Sequence, residues 1–122
     1  MRHELANGIP VYAVEDPQFP LLTIRLLFRG GQYIEPAGKE GLTQLTARTW
    51  RTGGAGTLSP QELDEELDFL AAQLSTSISG VNGFVSLNLL SKDIDRGLEL
   101  LMMVLLEPRF DAARFANARD DL

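Results

Sequence analysis

The chain has 122 residues, a formal net charge of −6 and no cysteine. That length suits one modest domain, and the missing thiols exclude a disulfide framework and a thiolate metal site. An acidic balance without a basic run excludes a phosphate-binding surface for nucleic acid. No apolar run is long enough to cross a bilayer, and the opening MRHELANG carries no apolar leader, so no membrane span is expected and the compartment is left open. His3 is the single histidine and reads as a surface residue near a terminus.

Arg2–Leu5 and Ile9–Glu15 flank Ala6-Asn7-Gly8, and Asn-Gly between short apolar-containing runs predicts a β-hairpin. Pro10 puts that hairpin at a sheet edge or a strand start. After the break Asp16–Pro20, the run Leu21–Phe28 predicts a central strand with both faces largely covered. Gly30-Gly31 ends it, and Glu35–Gly38 is a turn.

A first helix is expected from about Gly41 to Arg51, stopped by Gly53, Gly54 and Gly56. Leu42, Leu45 and Trp50 are spaced to face a core. Gln44, Ala47 and Arg48 fall at i, i+3 and i+4 and share another stripe of the helix. The glycines follow a helix and precede no Lys-Ser/Thr pair, so they are a helix stop and not a phosphate loop.

Ser59-Pro60-Gln61-Glu62 opens a second helix with the ingredients of a capping box. Leu63, Leu67, Leu70 and Leu74 continue as its apolar stripe. The carboxylates Glu62, Asp64, Glu65, Glu66 and Asp68 read as a solvated face near the positive end of the helix dipole. Two strands follow, Ser75–Ser79 and Phe84–Leu90, with Val85, Leu87 and Leu89 on one face of the second.

Asp93 is placed to cap a third helix, Ile94–Leu106. Its main stripe is Ile94, Leu98, Leu101, Met102 and Leu105, and Leu100, Met103, Val104 and Leu106 widen it, which predicts burial on more than one side. Pro108 ends it, and a fourth helix starts at Asp111. The expected architecture is α+β: a single domain over 1–122, order β-β-β-α-α-β-β-α-α, an antiparallel or mixed sheet with helices packed on one face. A broad apolar face on the third helix also raises the expectation of self-association.

From Leu5 to Phe110 the chain resembles the N-terminal part of the pitrilysin/insulinase zinc metallopeptidases, which include the mitochondrial processing peptidase subunits. The marks are LANGIPVYAVED, a strand ending in FRGG, EPAGKEGLTQLTA, Gly56-Thr57, SPQELDEELDFLAAQL, and LLMMVLLEPRF before a new helix. In active members the helix after GK-x-GL carries H-x-x-E-H, two zinc-binding histidines and a general-base glutamate. On this sequence those positions are Gln44, Ala47 and Arg48. The resemblance therefore implies a partial pitrilysin-like domain with a degenerate motif, no catalytic residue of its own and no zinc, although zinc is the family's cofactor. An amide is a poor zinc ligand, a methyl group exchanges no proton, and a guanidinium has no free lone pair. The third ligand of the family, a glutamate on the helix beginning near Asp111, would fall just beyond Leu122.

The resemblance also implies that a peptide adds as a strand along Leu74, Ser75, Thr76 and Ser77. An ordinary edge strand blunted by small polar residues has the same composition. The implied function is a non-catalytic subunit that contributes to peptide binding and pairs with an active peptidase subunit or with itself. The alternatives are part of an active zinc-dependent endopeptidase whose ligands lie elsewhere, and a structural assembly subunit. A bacterial periplasmic parent is compatible with the family, without a targeting segment to support it.

Overall fold

The computed structural model describes residues 1–122. The elements are β1 (Arg2–Glu4), β2 (Pro10–Tyr12), β3 (Leu21–Arg29), α1 (Leu42–Thr52), α2 (Pro60–Phe69), β4 (Gln73–Ile78), β5 (Asn82–Leu90), α3 (Ile94–Leu106) and α4 (Ala112–Asp120). Single 3-10 turns cover Gln32–Ile34 and Ser91–Asp93. The predicted order holds. All strand pairs are antiparallel, and the fold is α+β.

β1 and β2 form their own two-stranded sheet, with Pro10 opening β2, where its missing N–H breaks no ladder. In the hairpin turn only Gly8 takes a positive φ (85°). Asn7 instead accepts the Ile9 N–H on its side-chain oxygen at 3.2 Å.

The main sheet has the order β3-β5-β4. This corrects the expectation for Leu21–Phe28: β3 is an edge strand, and β5 is central. Leu22, Ile24 and Phe28 pack against the core, but Leu21 and Leu27 are 63% and 73% exposed on the other face, alternating with Thr23 and Arg25. An apolar run alone does not distinguish a strand covered on both faces from an edge strand carrying extra leucines. On β5 the two faces divide as the alternation predicts, and the structure shows which one is buried. Val85, Leu87 and Leu89 are buried, and register sets Leu87 between Ile24 of β3 and Leu74 of β4. The opposite face is mixed: Leu21, Leu27, Phe84 and Leu90 share it with polar residues, with Thr23 donating to Asn88 at 2.6 Å and the Arg25 guanidinium 4.3 Å from the Phe84 ring centre.

The core lies between this sheet and the helices. It joins Leu63, Leu67 and Leu70, Leu74, the three β5 residues, Ala55, and Leu100, Leu101 and Val104 of α3. The Ser59 capping box forms as predicted, with Ser59 N–H to Glu62 Oε2 at 2.8 Å and Glu62 N–H to Ser59 Oγ at 3.2 Å. Helix α2 ends at Phe69, so Leu74 is buried from β4 and not from the helix stripe.

Helix α3 is buried on one side only, which corrects the second expectation. Its buried face is Gly97, Leu100, Leu101 and Val104, at i, i+3, i+4 and i+7, while Leu98, Met102 and Leu106 are exposed. Gly97 decides this. A Cβ there would lie 2.2 Å from Leu89 Cδ1, so the bare glycine lets α3 settle onto β5. Counting apolar residues assigns no weight to a glycine.

The glycine-rich turn after α1 is structural, as expected. Its main chain pairs with the α3–α4 connection through Gly56 N–H to Glu107 C=O, Arg109 N–H to Gly54 C=O and Asp111 N–H to Gly53 C=O, at 2.8–3.1 Å. Asp111 then caps α4, accepting from the Ala113 and Arg114 N–H groups.

Candidate functional site

Helix α1 and strand β4 lie side by side, and their junction is the candidate site. Threonine recurs along α1 at 43, 46, 49 and 52. The hydroxyls of Thr46, Thr49 and Thr52 donate to the carbonyls of Leu42, Leu45 and Arg48, which satisfies them within the helix. Thr43 and Thr49 are the buried residues of α1, whereas Leu42, expected to face the core, is exposed. Trp50 is half-buried. Its indole N–H donates to Val104 C=O at 2.7 Å, and its ring meets Phe28 edge-on at 5.9 Å.

Helix α1 begins at Gly41, which has no capping side chain. Glu35 supplies the cap from the preceding loop, accepting from Thr43 N–H at 2.8 Å and Gly41 N–H at 3.3 Å. Hydrogen bonding from Thr43, side chain before backbone, and from Gly41 holds the Glu35 carboxyl below the usual carboxylate range. A negative charge at a helix N-terminus is further favoured by the dipole.

Gln44, Ala47 and Arg48 lie together on one stripe of α1, as the spacing predicts. Gln44 and Arg48 are exposed and Ala47 is half-buried. The stripe runs beside β4, because Thr76 Oγ1 donates to Ala47 C=O at 2.8 Å. An amide, a methyl group and a guanidinium do not fit a zinc ion, and no cluster of three His, Asp or Glu side chains stands anywhere in the chain.

β4 pairs only with β5, so its other edge is open. Antiparallel pairing alternates: residues that bond the neighbour are followed by residues whose N–H and C=O point away. Ser79 N–H donates to Asn82 C=O at 2.8 Å, and register continues this parity to Ser77↔Phe84, Ser75↔Ser86 and Gln73↔Asn88. The main-chain groups of Leu74, Thr76 and Ile78 therefore point to the free edge. Of the four residues Leu74, Ser75, Thr76 and Ser77, only Leu74 and Thr76 offer outward backbone, and Ile78 extends the row.

The row is closed at one end. Arg51 Nε donates to Leu74 C=O at 3.2 Å, and its Nη1 pairs with Asp64, which also receives Arg114 Nη2 at 3.3 Å. Sequence reasoning missed Arg51. Its only signal is position, one turn beyond Ala47 on the helix. The same network shows that the α2 carboxylates are not simply solvated: Asp64 is shared by two arginines, and Glu66 takes a bidentate contact from Arg96, at 3.2 and 3.0 Å. That contact, with a further bond to Glu99, raises the Arg96 pKa.

The fold is shared with two solved peptidase structures. Over 99% of its residues the chain superposes on a crystal structure of a peptidase M16 inactive domain from Pseudomonas fluorescens, with a TM-score of 0.88 and 22% identity. It also superposes on the structure of a protease from Helicobacter pylori, with a TM-score of 0.78 and 18% identity over 99% of the chain. The chain spans 29% of the length of each of these proteins. No family model and no curated protein sequence matches it.

Proposed function

We propose that this domain is a non-catalytic member of a peptidase assembly that holds an extended peptide along β4. In this reading the peptide pairs with the outward main-chain groups of Thr76 and Ile78 as an added strand. The domain binds no zinc and cleaves no bond, and an active zinc peptidase subunit of the same fold supplies the chemistry. Self-association of the chain is the alternative to that partner.

The observation that carries the reading is a juxtaposition. An edge strand with open backbone groups runs beside a helix face presenting Gln44, Ala47 and Arg48. Main-chain pairing needs no particular side chain, so it survives loss of the metal-binding residues. The likeness to a domain described as inactive supports the same reading.

The test pairs metal analysis with a cleavage assay on an unfolded peptide. The purified protein is expected to hold no stoichiometric zinc and to leave the peptide intact, with cleavage appearing only when an active homologue is added. One tightly held zinc per chain, or chelator-sensitive cleavage by the protein alone, would overturn the proposal in favour of an active endopeptidase. Stable recovery within a membrane complex instead of a peptidase complex would favour a structural assembly subunit.

A further inference from the structure

A pocket of about 330 Å³ opens where β4 ends. Its walls include Phe28, Ile34, Leu42, Thr43, Thr46 and Ile78, drawn from β3, the first 3-10 turn, α1 and β4. Two sets of hydrogen bonds and one close backbone approach pin these walls. Gln32 N–H and Tyr33 N–H donate to the Ser79 and Gly80 carbonyls at 3.3 and 3.1 Å. Gly31 touches the same turn so closely that a Cβ would sit 2.2 Å from Ser79 C=O. Glu35, also in the wall, spends its carboxylate on the first turn of α1. The pocket is thus pre-formed, with an exposed lining that is mainly apolar in area; its charged wall residues are Arg29 and Glu35, and Glu35 is already engaged.

Ile78 joins the pocket to the open edge. Its main-chain groups point outward, and its side chain lies on the same face of β4 as Leu74 and Thr76, the face that packs on α1. In paired strands, residues directly opposite each other share a face. A residue of an added strand lying opposite Ile78 therefore sends its side chain toward the pocket. At the other end Arg51 already occupies the Leu74 carbonyl.

We propose that the pocket takes one bulky apolar side chain of the bound peptide, of the Leu or Phe class, and that Arg51 confines the added strand to the Thr76–Ile78 stretch. The inference rests on the strand-addition reading and adds its register and side-chain preference. Full burial of such a side chain makes binding roughly 10- to 100-fold tighter than alanine at that position.

The test uses dye-labelled, Thr-rich host peptides with a single variable residue (Phe, Leu, Ala, Glu or Lys) and reads binding by fluorescence anisotropy. Phe and Leu peptides are expected to bind at least about tenfold more tightly than the others. Thr46→Phe, which fills the pocket, is expected to erase that preference and leave the Ala peptide unchanged. Leu42→Ala, at an exposed wall position, is expected to weaken the preference and serves if Thr46→Phe fails to fold. N-methylation of the peptide backbone and Thr76→Pro are expected to weaken all peptides alike, whereas Leu27→Pro on the β3 edge leaves binding intact. Binding that is sensitive to N-methylation but equal for Phe and Ala would overturn the pocket assignment and leave strand addition standing. A Phe preference indifferent to N-methylation and to Thr76→Pro, or no binding of any peptide, would overturn both.

Discussion

Truncating Leu87 and Leu27 in parallel tests the placement of the core. Both are leucines in strands of nine residues, yet Leu87 is 0% exposed and Leu27 is 73% exposed. Leu87 lies between Ile24 and Leu74 across the sheet, and its Cδ2 is 3.5 Å from where a Cβ on Gly97 would stand, so it fills the space under α3. Leu87→Ala leaves a cavity with few flexible neighbours and is expected to cost about 2–5 kcal/mol. Leu27→Ala removes a side chain already in water and is expected to change stability by no more than about 0.5 kcal/mol. Urea unfolding followed by the fluorescence of Trp50, the only tryptophan, reads both. With a slope of about 2 kcal/mol/M, Leu87→Ala moves the midpoint down by roughly 1–2.5 M, and Leu27→Ala moves it by about 0.25 M or less. Equal shifts, or a larger one for Leu27, would refute the strand order and restore β3 to the centre of the sheet.

Gly97→Val places an isopropyl group against Leu89 and is expected to destabilise by about 1–3 kcal/mol, read in the same titration; a neutral result would mean that α3 is not seated on β5 there. The acid limb of stability depends on Glu35 and on Glu62, whose carboxyl is lowered chiefly by hydrogen bonding from Ser59. Because both pKa values are depressed in the folded state, their contribution is complete above the ordinary carboxylate value of 4.5 and is lost as pH falls through the lower folded values. Glu35→Gln is therefore expected to flatten the stability profile on the acid side and leave its shape near neutrality unchanged. An unchanged acid limb would remove Glu35 from its capping role. Ser59→Ala breaks the capping box and is expected to cost about 1 kcal/mol by denaturation.

Several elements were legible because one local rule decided them. Ser59, Pro60 and Glu62 announce the start of α2, Asn7-Gly8 the first hairpin, and Gly53 the end of α1. The alternation put Val85, Leu87 and Leu89 on one face of β5, which the structure shows to be the buried one. What the sequence left open depends on partners that local rules do not see. Leu21–Phe28 looks equally apolar as a central or an edge strand, and only pairing with β5 alone settles it. The buried face of α3 turns on Gly97, whose contribution is the absence of a side chain. At the site, the i, i+3, i+4 spacing placed Gln44, Ala47 and Arg48 on one stripe, and the edge position of β4 was anticipated. Which residues turn their backbone outward follows from the parity of pairing with β5, so the open row is Leu74, Thr76 and Ile78, with Leu74 already engaged by Arg51.

Amide hydrogen exchange at β4, residue by residue, with and without the Phe host peptide, tests the central claim most directly. In the free protein the Thr76 and Ile78 amides are expected to exchange quickly, and those of Ser75 and Ser77, bonded to β5, slowly. Adding peptide should slow Thr76 and Ile78 selectively. Slow exchange at Thr76 and Ile78 before any peptide is present, or no change on saturation, would contradict the account.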